Sequence, residues 1–141
     1  MSDQSRTWRK ARTSCKDNKK DLVAVETERE WQFITNELKN RATRKNEWHK
    51  GLFWNLTVTN WTWVNRKPLT IKKWRDSEPN RNSHYALIAK EWPTGSYGKF
   101  DSIRNDIKRA WICEEETALI INFIFDFQIL VVQLSSLQVY T

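Results

Sequence analysis

The chain has 141 residues and a formal net charge of +7, with 29% charged and 13% aromatic residues, nine of them tryptophan. That length supports one domain with a sizeable core. Two cysteines set almost a whole domain apart exclude a close-spaced C-x-x-C metal cluster, and no Lys/Arg-rich run interleaves with aromatics to mark a nucleic-acid-binding surface.

Charge is uneven along the chain. Every Lys and Arg lies before Trp111, and residues 1–113 hold 24 basic against 13 acidic side chains, a net +11. Such a surface favours acidic glycans, anionic lipid or nucleic acid over cationic partners, the pattern arguing against nucleic acid among these. The opening MSDQSRTWRKARTSC has no apolar core of a signal peptide.

Trp8, Ala11 and Cys15, at i, i+3 and i+7, predict a first helix over residues 7–16 with Thr7 as its cap. Asp17–Lys20 is a polar turn, and Leu22–Val25 a short strand or extended link. Thr27 and Glu30 form a capping box that opens a helix through about Lys39, with Trp31, Ile34 and Leu38 on its core stripe. Glu47–Leu52 carries a W-x-x-G-L pattern. His49 and His84 have no nucleophile or carboxylate motif beside them, so both are read as non-catalytic and the chain as no enzyme.

Asn55-Leu56-Thr57 and Asn60-Trp61-Thr62 are N-glycosylation sequons. Trp61 and Trp63 alternate with Thr62 and Val64, a strand with aromatics on one face. Arg66-Lys67-Pro68 breaks it, Trp74 returns to the core, and Glu78-Pro79-Asn80 places two oxygen-bearing side chains on either side of a proline. A Gly- and Tyr-containing loop from Lys90 is followed by Phe100-Asp101-Ser102, and Trp111-Ile112-Cys113-Glu114 comes after it. Cys15 and Cys113 are either a disulfide or two core thiols on spacing alone. If bonded, they close a loop worth about 4–5 kcal/mol in the entropic account and favour an oxidising compartment.

Taken in order, W-x-x-A-x-x-x-C, W-x-x-G-L, W-T-W-V, EPN and W-I-C-E resemble the C-type lectin-like domain family from about Thr7 to Glu114. The resemblance implies an α+β fold of two helices with small antiparallel sheets and a long irregular loop between about Trp74 and Asp101. It implies a Cys15–Cys113 disulfide. It further implies a cis Pro79 that aims Glu78 and Asn80 at a calcium ion and at sugar hydroxyls, a mannose-type arrangement. On that pattern Glu78, Asn80 and Asp101 bind carbohydrate, and the same three with Ser102 hold calcium.

The match is partial. No Glu follows in Arg81–His84, Asp101-Ser102 replaces an Asn-Asp pair, and Arg75 and Arg81 oppose a cation. Calcium affinity follows ligand charge, so binding is expected to be weak or absent. The family's second disulfide has no cysteines here, and the strand that precedes its first helix looks missing, leaving a sheet edge open. The function expected is therefore a carbohydrate-binding domain, weakly calcium-dependent, or else a calcium-independent adhesion module for protein or anionic glycan. Partners are glycans or glycoproteins. The setting is extracellular or cell-surface, as part of a larger glycoprotein.

The domain is read as residues 1–116. Residues 117–141 are a different composition, apolar and free of Lys and Arg. The run is about long enough to span a bilayer, but Asp126, Gln128 and Gln133 interrupt it. The expectation is an appended hydrophobic tail rather than a membrane anchor.

Overall fold

The computed structural model describes residues 4–115 and 137–141. Its elements follow in the order α1 (Trp8–Asp17), β1 (Lys20–Leu22), α2 (Glu28–Lys39), β2 (Glu47–Asn55), β3 (Asn60–Trp63), β4 (Tyr85–Ala89), β5 (Phe100–Ile103), β6 (Ala110–Glu115) and β7 (Gln138–Tyr140). Both helices start where local chemistry starts them. The Thr7 hydroxyl accepts from Lys10 N at α1, and at α2 the Thr27–Glu30 capping box is complete.

The α+β fold with two helices is as expected, and the strands, expected in small antiparallel sheets, join in a mixed one. All seven strands join one sheet, in the order β1-β6-β2-β4-β5, with β3 added on β2 and β7 on β6. The β2–β6 pair is parallel through Trp48↔Ala110 and His49↔Trp111. Gly51 lets strands approach closely, because a Cβ there would lie 2.7 Å from both Leu22 O and Val64 Cγ2.

The expected open edge is also covered in part. β7 runs antiparallel to β6 through Trp111↔Tyr140, Ile112↔Val139 and Cys113↔Gln138, and Tyr140 stacks on Trp111 with ring centroids 4.9 Å apart. Residues 138–140 thus belong to the sheet rather than to a tail. The remaining expectation for residues 117–136, tail or anchor, lies outside the described residues. Among the described residues no helix is long and apolar enough to cross a membrane.

Two cores share the sheet. α2 covers one with Ile34 and Leu38 against Trp48, Leu52, Trp63, Ile88 and Phe100. α1 covers the other with Trp8, Ala11 and Cys15 against Leu22, Leu87, Trp111 and Cys113. The Cys15–Cys113 disulfide joins α1 to β6 across 98 residues with Cα atoms 5.6 Å apart.

β2 buries two ionisable side chains completely. Lys50 Nζ donates to Leu87 O at 2.9 Å and lies over the Phe100 ring, and burial pushes its ammonium well below the ordinary lysine value. His49 Nε2 lies 2.7 Å from Arg6 O, while its Nδ1 finds no partner among the described residues. Burial lowers its pKa from 6.5 to about 4, partly opposed by the Arg6 carbonyl and reinforced by the Arg109 charge.

A histidine depressed in the folded state stabilises fully above its unfolded pKa, and that contribution is lost as pH falls through the folded one. In urea unfolding, the parent is expected to lose about 2–3 kcal/mol more than a His49→Gln variant between pH 7 and 4.5. The variant keeps an N–H donor for Arg6 O. Equal losses would contradict the buried neutral imidazole.

Candidate functional site

The loop between β3 and β4 is tied to β5 before it reaches Glu78. Phe100 N donates to Lys73 O at 2.7 Å and Arg75 N to Phe100 O at 2.9 Å. This parallel bridge at Trp74↔Phe100 sets Arg75 beside Asp101. A turn follows: Glu78 N donates to Arg75 O at 3.0 Å, and Ser77 takes φ 68°. Glu78 is thereby brought back over Arg75, and the Glu78–Pro79 bond is cis, as the resemblance implies.

The result is a clamp around one guanidinium. Arg75 Nη2 donates to Asp101 Oδ1 at 2.9 Å and Oδ2 at 3.1 Å, and Nε to Oδ2 at 3.3 Å. The same Nη2 lies 3.6 Å from Glu78 Oε1. Glu78 Oε2 accepts from Asn80 N at 3.0 Å and Ser102 N at 3.1 Å, and from the Ser102 hydroxyl. That hydroxyl in turn accepts from Asn80 N at 2.7 Å. The side chains of Glu78 and Asp101 are each only 12% exposed.

Burial pushes the Asp101 carboxyl above its ordinary value. Its Arg75 hydrogen bonds pull it back down, and the charge of Glu78 pushes it up again. Arg75 is held above its own ordinary value, mainly by its hydrogen bond to Asp101. Without the guanidinium, two half-desolvated carboxylates would face each other.

The four residues named for calcium, Glu78, Asn80, Asp101 and Ser102, are therefore neighbours, but they do not fit the ion. Both carboxylates are turned onto Arg75, which already supplies the positive charge between them. The Asn80 amide oxygen is taken by Asn82 N at 2.9 Å. Calcium requires about six to eight oxygen ligands. Among the described residues no three His, Cys, Asp or Glu side chains converge as a metal set.

Beside the clamp lies a cavity of about 360 Å³ lined by Trp54, Trp61, Pro79, Asn80, Arg81 and Ser83. Trp54 meets Trp61 edge-on at 5.9 Å, and Trp61 in turn meets Trp74 at 4.9 Å. Asn80 and Arg81 are exposed at its rim, and Ser83 is buried. Sequence reasoning did not single out Trp54. Its signal is its place on β2 directly opposite Trp61. The sequon residues Asn55 and Asn60 face each other at the adjoining end of the β2–β3 hairpin.

The sequence matches the Lectin C-type domain family over residues 4–115. A curated mouse relative, C-type lectin domain family 4 member A, is 29% identical over 113 residues, covering 78% of this chain and 44% of the relative. The chain thus spans less than half of that relative's length. Two solved structures share the fold. The Ca2+-independent C-type lectin SPL-2 from Saxidomus purpuratus has a TM-score of 0.68 at 22% identity, covering 77% of this chain and 78% of that one. The cow carbohydrate-recognition domain of CD23, determined in the presence of a GlcNAc2Man3 oligosaccharide, has a TM-score of 0.66 at 19% identity, covering 81% and 83%.

Replacing Arg75 by Met leaves Glu78 and Asp101 unpaired and is expected to cost about 2–3 kcal/mol at pH 7, since removing one partner strands the other charge. Arg75→Lys keeps the charge but not the two-pronged fork and should recover only part of it. Chemical denaturation of the three proteins measures this. A Met variant as stable as the parent would show that the clamp carries no weight.

Proposed function

The chain belongs to the C-type lectin domain family, and on that premise we propose that it is a non-enzymatic carbohydrate-binding module whose binding loop works without calcium. The observation that carries this reading is the Arg75 guanidinium between Glu78 and Asp101. A divalent ion at that position would organise the loop and leave open coordination sites for sugar hydroxyls. A guanidinium does the first task and not the second: it offers no coordination site, and its Nε and Nη2 donors are already turned onto Asp101 and Glu78.

Sugar contact then moves to the neighbouring cavity. Pockets that hold small ligands combine an apolar or aromatic wall with a few fixed polar groups. Trp54 supplies the wall for the C–H face of a sugar ring, with buried Trp61 behind it, and Asn80 and Arg81 at the rim supply hydrogen bonds to its hydroxyls. In this reading Glu78, Asp101 and Ser102 hold the loop, and Asn80 is the member of the tripeptide that hydrogen-bonds sugar, beside Pro79 in the cavity wall. That a calcium-independent lectin and an oligosaccharide-bound carbohydrate-recognition domain share the fold supports the reading. Partners are glycans or glycoproteins outside the cell, with Asn55 and Asn60 as glycosylation sites of the module itself.

On a glycan array, the sugars retained by the full chain are expected to give the same signal in calcium and in chelator. Trp54→Ala and Asn80→Ala should each weaken the strongest of them about tenfold, equivalent to about 1.4 kcal/mol. Signals that vanish in chelator would refute the calcium-free mechanism. Signals untouched by both substitutions would refute the cavity.

A further inference from the structure

α1 carries a second site. Its first turn has no acid, and Arg9, Arg12 and Lys16 recur at i, i+3 and i+7 on one face, spanning about 10 Å of helix axis. That face borders a groove of about 540 Å³ lined by Trp8, Arg9, Arg12, Thr13, Lys16, Phe53 and Tyr85. The lining holds three cations, three aromatic rings and no carboxylate. Trp8 and Tyr85 stack at 4.5 Å to form its floor.

The cations are set in place rather than loose. Arg9 Nε donates to the Tyr85 hydroxyl at 2.9 Å. Arg12 is held by Asp21 at 3.0 and 3.1 Å and lies over Trp8 at 5.8 Å. Lys16 shares Asp21 at 3.1 Å. One buried carboxylate thus orients two of the three cations and leaves the groove with an excess of positive charge.

We propose that this groove is a binding site for a sulfated polysaccharide, separate from the cavity beside Asn80. Such a chain repeats negative groups along an apolar-faced ring, which suits a row of cations above an aromatic floor. A DNA duplex keeps its base faces stacked inside and offers the floor only its sugar-phosphate edge. A membrane surface calls for protruding apolar side chains, and the exposed large ones among the described residues, Leu56, Val58 and Trp92, do not line the groove.

The test uses the full chain on immobilised heparin across a salt series. The parent should bind and release as salt screens the contacts. An Arg9→Gln, Lys16→Gln double variant should lose about tenfold or more in affinity. A Lys72→Gln, Lys108→Gln double variant, with the same change in net charge at exposed positions outside the groove, should lose less than twofold. In the unaltered chain, heparin should protect Lys16 from amine acetylation more than Lys72 and Lys108. Equal losses in the two doubles, or equal protection of all three lysines, would reduce the site to general charge and overturn it. So would equal binding to duplex DNA or to phosphatidylserine vesicles, or no binding by the parent. The glycan-array result for the Asn80 cavity does not depend on any of these outcomes.

Discussion

The ion pair between Arg75 and Asp101, shared with Glu78, is the constraint on which the loop between β3 and β4 depends. From Pro68 to Ser83 the chain has little regular structure of its own, and Trp74 is held to the sheet by its bridge to Phe100 and by its packing on Trp61. What turns that bridge into an ordered loop is a cation held by two poorly exposed carboxylates. One of them, Glu78, gathers the Asn80 and Ser102 donors on its other oxygen. Charge-assisted bonds of this kind are stronger than neutral ones, and a guanidinium fork fixes direction as well as distance. The choice of arginine has a consequence for recognition. It neutralises the carboxylates from inside the chain, which is why the proposed sugar contact is assigned to the tryptophan-walled cavity next door.

The sheet supplies the platform. Lys50 sits under the same region, bonded to Leu87 on β4 and facing Phe100 on β5, the residue next to Asp101. Its burial among aromatic rings is costly, and the ring faces and the Leu87 carbonyl offset that cost. The Asp101 charge acts on Lys50 as well, so core and site are electrostatically connected. At the far side, Cys15–Cys113 fixes α1 to β6. The stacking of Trp8 on Tyr85 at the start of β4 fixes the same helix a second time. The loop and the α1 groove are therefore two surfaces of one rigid sheet rather than independent modules.

Much of this was legible in the sequence because it rests on local rules or on a specific order of residues. The Thr27 capping box, the α1 and α2 core stripes and the β3 tryptophan alternation follow from short motifs. The cis Pro79 and the Cys15–Cys113 bridge followed from the resemblance. What was not legible depends on long-range geometry. Arg75 reads in sequence as a charge opposing calcium. That it stands between Glu78 and Asp101 requires knowing that residues 73–75 run beside β5. Nothing in the sequence marks Lys50 as buried, since lysine is seldom fully buried. Nothing local announces that Gln138–Tyr140, after a long apolar stretch, pairs with β6. The parallel contact of β2 with β6 leaves no short-range signal either, since the two strands are far apart in the chain.

The most direct test of the central claim is a calorimetric titration of calcium into the full chain with its disulfide intact. The clamp predicts no saturable heat through the millimolar range, in which weak extracellular calcium sites fill, because Arg75 already occupies the space between the two carboxylates. A saturable, near-stoichiometric heat that is lost on Asp101→Asn would contradict it. That result would mean that the ion displaces the guanidinium and that the loop is a metal site after all.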